Sequence, residues 1–293
     1  MSADEGASAA RLRLTSPGRV VWPEAGFTKG EMLAYYRCIA PVLLPHLADR
    51  PVTLARFPEG VDRYGWYQTE CRGPSWIPRR RVGTQNYCLL NDLPSLLWAA
   101  NAGAVELHPL LSRGERVEEP TAVAFDLDPG PPAGLRECCR VAIVLRDRLA
   151  AAGLASCVKT SGSLGLHVLV PLNAPATFAA AKAFARAVAA ELAARLPDRV
   201  VWRTGRSLRT GKVLVDWGQN AATRSLVAPY SLRAMRVPTV AAPLTWDDVE
   251  RASASHVSDG LVFAPAAVLQ RIECLGDPFG PVLELVQRLP VGD

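Results

Sequence analysis

The 293-residue sequence contains no run of 18 apolar residues, so no membrane-spanning helix is expected and no membrane partner is sought. Its N-terminal stretch, MSADEGASAA, lacks a basic segment followed by an apolar one, and no secretory signal is expected. No G-x-x-x-x-G-K-[ST] occurs, which excludes a P-loop. The seven cysteines show no metal-type spacing: Cys138 and Cys139 are adjacent in a helical pattern and the others are scattered. This predicts reduced cytoplasmic thiols and no disulfide framework. What is present is a chain with 49% apolar residues and a net charge of +5. That suffices for a sizeable core in one or two domains. The mild basic bias permits a polyanionic partner without demanding one.

The stretch Ala124-Phe-Asp-Leu-Asp-Pro-Gly130 organises the chain. The apolar run Thr121–Phe125 reads as a buried strand that Pro129 and Gly130 end. Side chains at i and i+2 share a strand face, so Asp126 and Asp128 project together. Two adjacent carboxylates repel, and a divalent cation removes the conflict; hard oxygen ligands suit Mg²⁺ or Mn²⁺. On these residues alone, a solvated turn at a strand end explains the pair equally well.

Before this stretch, Leu12–Leu14 reads as a short strand, followed by a turn at Ser16-Pro17-Gly18. Thr28-Lys-Gly-Glu31 has capping-box spacing and predicts a helix to about Leu47. Pro51–Phe57, Tyr87–Leu90 and Ala104–Leu107 read as strands, the last delivering His108. Asn91 or Asp92 caps a helix through Ala100. The segment Arg63–Arg81 reads as a loop interleaving aromatics, including Trp66 and Tyr67, with arginines. Nucleic-acid contact requires such stacking faces and cations, but a loop folded on its own aromatics fits equally well.

After the Asp pair, a helix is predicted over Leu135–Ala152 and strands over Ser156–Thr160 and His167–Pro171. The turn Ser161-Gly-Ser-Leu-Gly-Leu-His167 offers backbone N–H groups and the hydroxyls of Ser161 and Ser163, a cradle suited to phosphate oxygens. His167 could add a donor. A helix at 176–196 precedes strands Arg199–Arg203 and Lys212–Trp217, and the second delivers Asp216. Three carboxylates at strand ends, two of them paired, are the minimum for a two-metal site. In Ala228-Pro-Tyr-Ser-Leu-Arg-Ala234, Ser231 and Arg233 share a face if extended, and Arg233 could fork onto a phosphate. Helical patterns near 246–252, 264–273 and 281–289 suggest a packing appendage.

The order D-x-D, S-G-S-x-G-x-H, then a third acid after an apolar strand resembles the archaeo-eukaryotic primase superfamily. More closely, the chain resembles the polymerase domain of bacterial ATP-dependent DNA ligase D. The likeness includes V-x-x-P-x-x-G-x-T-K-G around Lys29, A-N-x-G-x-x-E-L-H-P ending at His108–Pro109, F-D-L-D-P-G, S-G-S-x-G-L-H and A-P-Y-S-x-R-A. No ligase motif or phosphoesterase module accompanies these motifs, so a stand-alone polymerase domain is expected.

The resemblance implies an α+β fold of the archaeo-eukaryotic primase type, with mixed and antiparallel sheets forming a central cleft flanked by helices. It implies a disordered stretch at 1–10 and one domain over 11–293. Within it, 11–120 would bind DNA ends, 121–236 would form the catalytic core and 237–293 would pack against it. Asp126, Asp128 and Asp216 would hold two Mn²⁺ or Mg²⁺ ions. Ser161, Ser163, His167, Ser231 and Arg233 would serve the incoming nucleoside triphosphate, with His108 near its sugar. Ser16, Arg19 and Lys29 match a pocket for a DNA 5′-phosphate, and Trp66 and Tyr67 match an aromatic pair that supports a base.

The implied activity is template-directed addition of nucleotides, with ribonucleotides favoured, to 3′ ends at gaps or double-strand breaks in non-homologous end joining. The end-joining protein Ku and a separate ligase would be partners, in a cytoplasmic, nucleoid-associated setting. Ser16 and Arg19 replace a usual Asn and Lys, Thr69 a common Lys, and Gln219 a common Arg. The alternatives are a DNA-end-binding module with weak or no catalysis, and a primase that initiates chains.

Overall fold

A computed structural model of the chain describes residues 12–205, 208–255 and 258–290, and the expected disordered stretch at 1–10 lies outside them. The first half runs β1 (Val20–Trp22), β2 (Phe27–Thr28), α1 (Lys29–Leu47), β3 (Pro51–Arg56), β4 (Trp66–Gln68), β5 (Arg79–Val82), β6 (Gln85–Leu89), α2 (Leu93–Asn101), β7 (Ala104–Pro109), β8 (Ser112–Arg113) and β9 (Arg116–Pro120). The second half runs β10 (Ala122–Pro129), α3 (Leu135–Ala150), β11 (Cys157–Thr160), β12 (Leu166–Pro171), α4 (Phe178–Arg195), β13 (Val200–Val201) and β14 (Val213–Asp216). It continues with β15 (Leu232–Arg233), β16 (Thr239–Val240), β17 (Pro243–Leu244), α5 (Trp246–Ala254), α6 (Pro265–Leu275) and α7 (Pro281–Glu284).

The fold is α+β, with two principal sheets. One has six strands in the order β13-β14-β10-β12-β11-β17, antiparallel except for the β13–β14 pair. The other is built on β3, which pairs with β7 along one edge and with β4 and β6 along the other; β5 continues from β6.

Strand β10 is covered on both faces for most of its length. Val123, Phe125 and Leu127 join a core with residues of α3 and α4, including Leu145 and Ala185. The opposite face carries Ala122 and Ala124, then Asp126 and Asp128. Period-two alternation thus sends the large apolar groups to the helices and the carboxylates to the cleft. A second core forms where Tyr36, Ile39 and Leu43 of α1 meet Leu54, Leu107 and Leu96. The capping box of Thr28 and Glu31 starts α1 as expected. Asp92 caps α2, with Ser95 completing the reciprocal bond.

Three readings of the sequence are corrected here. Leu12–Leu14 forms no strand; the chain beside it is held by Asn101, which accepts from Thr15 N–H and donates to the Arg13 carbonyl. The segment Arg63–Arg81 contains strands β4 and β5, because its Pro and Gly residues cluster between them and leave each short run free to pair. Cys71 and Cys88 form a disulfide. Cys71 N–H donates to the Asn86 carbonyl on β6, bringing the two Cα atoms to 4.9 Å, a spacing that permits the bond. Cys38, Cys138, Cys139, Cys157 and Cys274 are free.

Candidate active site

Four side chains form a row across the six-stranded sheet. Asp126 on β10 is the register partner of Asp216 on β14 and of His167 on β12. His167 in turn opposes Lys159 on β11. Asp128 lies two residues from Asp126 on the same face, beside the SGS turn that links β11 to β12. The strand carrying the pair is pinned by Asn220, whose side-chain amide accepts from Ala124 N–H at 2.9 Å and donates to the Ala124 carbonyl at 2.7 Å. Asn220 is fully buried and acts where a strand partner is missing.

The electrostatics of the row are uneven. Burial raises the Asp128 carboxyl, repulsion from Asp126 and Asp216 adds to this, and together they push it up to about 6 despite Arg209 nearby. Burial works against Asp126 too, but the neighbouring His167 imidazole and the charges of Lys159 and Arg233 hold its carboxyl below the usual range. His167 itself is pushed down to about 4, by burial first and by Lys159 second.

A cleft of about 350 Å³ opens over the middle of this row, lined by Asp126, His167, His108, Arg233 and Tyr67 and walled by the segment from Gln219 to Val227. Arg224 and Thr223 of that wall are exposed. Arg233 Nη1 donates to the Ser161 carbonyl, and its Nε donates to Glu106 Oε1 at 3.0 Å. Glu106 also contacts His108 Nε2 at 2.8 Å and accepts from Ala234 N–H. Burial alone would raise the Glu106 carboxyl; the His108 hydrogen bond and the Arg233 charge overcome this and bring it down to about 2. Tyr67 stands edge-on to His108, with ring centroids 5.3 Å apart.

The SGS turn is folded on itself. Ser161 Oγ accepts from the N–H groups of Ser163 and Gly165. Gly162, at φ +71°, touches Arg233 closely; a Cβ there would stand 2.5 Å from the Arg233 side chain. Glycine therefore permits the turn and the arginine to meet.

A second cleft, of about 250 Å³, gathers Ser16, Arg19 and Lys29. Lys29 is buried; its Nζ donates to Thr15 Oγ1 at 3.1 Å, and burial followed by the Arg19 charge lowers its pKa. Arg19 donates to the Pro58 carbonyl and pairs with Glu59. Arg56 lines the same cleft, and its guanidinium stacks over Trp66 at 5.2 Å.

Two of the expected site residues lie elsewhere. Ser231 is fully buried, and its hydroxyl accepts from Leu107 N–H and donates to the Leu232 carbonyl, so it does not face the cleft. Ser231 is taken up by the backbone of β7, while Arg233 reaches Glu106 and lines the cleft. Trp66 and Tyr67 are successive residues of β4 and point to opposite faces, Trp66 toward Arg56 and Tyr67 toward His108.

Glu106, Lys159, Asn220, Arg56 and Arg224 were not anticipated. Glu106 and Lys159 carried a signal: each is a lone charge inside an otherwise apolar strand.

The donors fit hard divalent cations. Asp126 Oδ1 is buried without a hydrogen-bond partner, although His167 Nε2 lies 3.3 Å from it. A second carboxylate stands beside it with its proton affinity raised by burial and by repulsion. Asp216 has one oxygen, Oδ1, held by Gly218 N–H at 2.7 Å. Among the described residues, no three acidic, histidine or cysteine side chains lie close enough to enclose one ion.

Residues 28–279 match the family model described as LigD, primase-polymerase domain. The chain is 38% identical over 280 residues to the multifunctional non-homologous end joining protein LigD of Mycolicibacterium smegmatis, covering 93% of this chain and 36% of that protein. It is 28% identical to the bifunctional LigD protein of Bacillus subtilis, covering 92% of this chain and 44% of that one. It thus spans well under half the length of these relatives. The solved polymerase domain of Mycobacterium tuberculosis ligase D in complex with DNA superposes with a TM-score of 0.86 at 35% identity, covering 94% of this chain and 99% of that one.

Proposed function

Because the chain belongs to the LigD primase-polymerase domain family, we propose that it is a template-directed nucleotidyltransferase that extends 3′ ends at gaps or double-strand breaks. Ribonucleotides are its favoured substrates, and it works in non-homologous end joining with Ku and a separate ligase. The observation that carries this reading is the row Asp216–Asp126–His167, set in register, with Asp126 and His167 lining a cleft that also holds Arg233.

Asp126, Asp128 and Asp216 would hold the divalent cations, Mn²⁺ or Mg²⁺. When bound, such a pair supplies activation of a 3′-hydroxyl and neutralisation of charge on the leaving pyrophosphate. His167 and Arg233 sit on the other side of Asp126 and offer N–H donors to the triphosphate, an electrostatic contribution that grows as negative charge builds. Glu106 fixes Arg233 through its Nε, so the guanidinium is oriented before substrate arrives. His108, held by the same carboxylate, faces the cleft where the sugar would lie, with Tyr67 against its ring. The cleft of Ser16, Arg19 and Lys29 would receive a DNA 5′-phosphate, for which Lys29 and Arg19 supply the charge.

Addition of single nucleotides to a gapped duplex, with the divalent cation supplied or chelated, tests this reading. Extension that survives chelation would overturn it. A second reading, an end-binding module with weak catalysis, is favoured by Gln219 on the cleft wall, where the resembled family commonly has arginine. Tight binding to phosphorylated ends without extension is its expected outcome.

A further inference from the structure

Asn220 is fully buried, and both hydrogens and the oxygen of its side-chain amide are bonded. Oδ1 accepts from Ala124 N–H at 2.9 Å. One Nδ2 hydrogen goes to the Ala124 carbonyl at 2.7 Å and the other to the Trp217 carbonyl at 2.9 Å. All three bonds fall beside the two acids that face one another across the sheet. Ala124 stands two residues before Asp126 on β10, and Trp217 directly follows Asp216, the last residue of β14.

The register of β14, carried two residues further, would set Gly218 against Ala124. Gly218 is turned away from that place, since its N–H donates to Asp216 Oδ1 at 2.7 Å. Directly opposed residues in an antiparallel pair exchange an N–H and a C=O bond. A primary amide carries both groups, so Asn220 supplies from a side chain what the strand no longer supplies from its backbone. It does so at a vulnerable point. Asp126 and Asp216 are the last opposed pair of the β10–β14 ladder, and like charges in direct opposition drive strands apart. Strand ends open more readily than strand centres.

We infer that Asn220 is a positioning residue that clamps the end of the β10–β14 ladder and holds Asp126 and Asp216 at a fixed separation against their repulsion, so that the pair is set before a cation arrives. Its bonds are all to backbone, so it acts through the two strands alone. The consequence for cation binding rests on the reading of these carboxylates as cation ligands.

The test is hydrogen–deuterium exchange of the β10 segment in the full chain, read by mass spectrometry in chelator. In the unsubstituted protein the amides from Ala124 to Asp126 are expected to be protected without any divalent cation. Asn220→Ala is expected to speed their exchange about tenfold, the scale of one lost buried hydrogen bond. Adding Asp216→Asn removes the opposed charge and keeps an acceptor for Gly218 N–H, and it is expected to restore most of the protection. A side chain that only filled space would cost the same protection in both backgrounds. Mn²⁺ affinity, measured by electron paramagnetic resonance without DNA, is expected to fall about tenfold in Asn220→Ala. Val123→Ala, which loosens the helix-facing side of the same strand, is expected to leave it unchanged.

Fast exchange at Ala124 in the unsubstituted protein overturns the inference, even if no variant folds. So does an equal loss of protection in Asn220→Ala with and without Asp216→Asn, or an equal fall of Mn²⁺ affinity in Val123→Ala. Protection that Asp216→Asn restores, with Mn²⁺ affinity unchanged in Asn220→Ala, would support the clamp and contradict the assignment of these carboxylates to the cation.

Discussion

Asp126 and Asp216 are direct partners across the antiparallel β10–β14 ladder, two carboxylates in the same register. Like charges opposite one another weaken a sheet. Here the conflict is increased by Asp128 on the same face of β10, and it is Asp128 whose carboxyl is pushed up, to about 6. The sheet stores an electrostatic cost at the position where cation binding would relieve it.

Asp128→Asn is therefore expected to stabilise the cation-free protein while abolishing catalysis. Raised proton affinity in the fold means that the cost is absent below the ordinary aspartate range, where the carboxyl is protonated folded or unfolded, builds as pH rises from about 3.9, and is complete above about 6. At pH 7.5 the gain from the substitution should be about 1–2 kcal/mol, allowing for screening at a half-buried position. At about pH 3.5, below the ordinary aspartate value, most of it should vanish. Thermal unfolding in chelator at the two pH values measures this, and an equal effect at both would show that repulsion is not the cause. Nucleotide addition should fall by at least about a hundredfold.

Glu106 gives the opposite sign. Its carboxyl is held down to about 2, so its stabilisation is present above the ordinary glutamate range and lost as pH falls from about 4.3 toward 2. Glu106→Gln leaves Arg233 without its carboxylate and should cost about 3 kcal/mol at pH 7. Denaturant unfolding of the variant should lose the acid-sensitive step between those pH values. A variant with wild-type stability would mean that Arg233 finds another partner.

Lys29→Ala is expected to weaken binding to gapped duplexes bearing a 5′-phosphate about tenfold, with little change for the same duplex ending in a hydroxyl. Fluorescence anisotropy with the two duplexes separates these cases. Equal losses on both would indicate general attraction to the backbone. Arg19, which already pairs with Glu59 and the Pro58 carbonyl, should show a smaller effect.

Trp66 and Tyr67 should separate on substitution. Trp66 lies beside Tyr64 and under Arg56, so Trp66→Ala is expected to lower stability by about 1–3 kcal/mol. Tyr67 is largely exposed at the mouth of the catalytic cleft, so Tyr67→Ala should leave stability nearly unchanged and raise the nucleotide KM. Comparing thermal unfolding with steady-state extension distinguishes them; similar profiles for the two variants would contradict the opposite facings.

The local part of this site was legible in the sequence. Period-two alternation places Asp126 and Asp128 on one face, and the capping box announces the helix that begins at Lys29. The flanking of Asp126 by Asp216 and His167 was not, because the order β14-β10-β12 depends on pairings between segments some 40 to 90 residues apart in the chain. The same limit hid the Cys71–Cys88 bond and the hold of Asn220 on Ala124. Ser231 was misplaced because its hydroxyl is taken up by Leu107 N–H, a contact 124 residues away in the chain. The resemblance gave Trp66 and Tyr67 as a pair; β4, flanked by Pro and Gly residues, was not read as a strand, and in a strand adjacent residues face apart.

The central claim is that the carboxylates on β10 carry nucleotide addition. It is tested most directly by extension of a gapped duplex bearing a 5′-phosphate, with Mn²⁺ and either ribonucleotides or deoxyribonucleotides, by the unsubstituted protein and by Asp126→Ala and Asp128→Ala. The account predicts extension by the unsubstituted protein, faster with ribonucleotides, and none by either variant while both still bind the duplex. Extension by Asp126→Ala at the unsubstituted rate would contradict it.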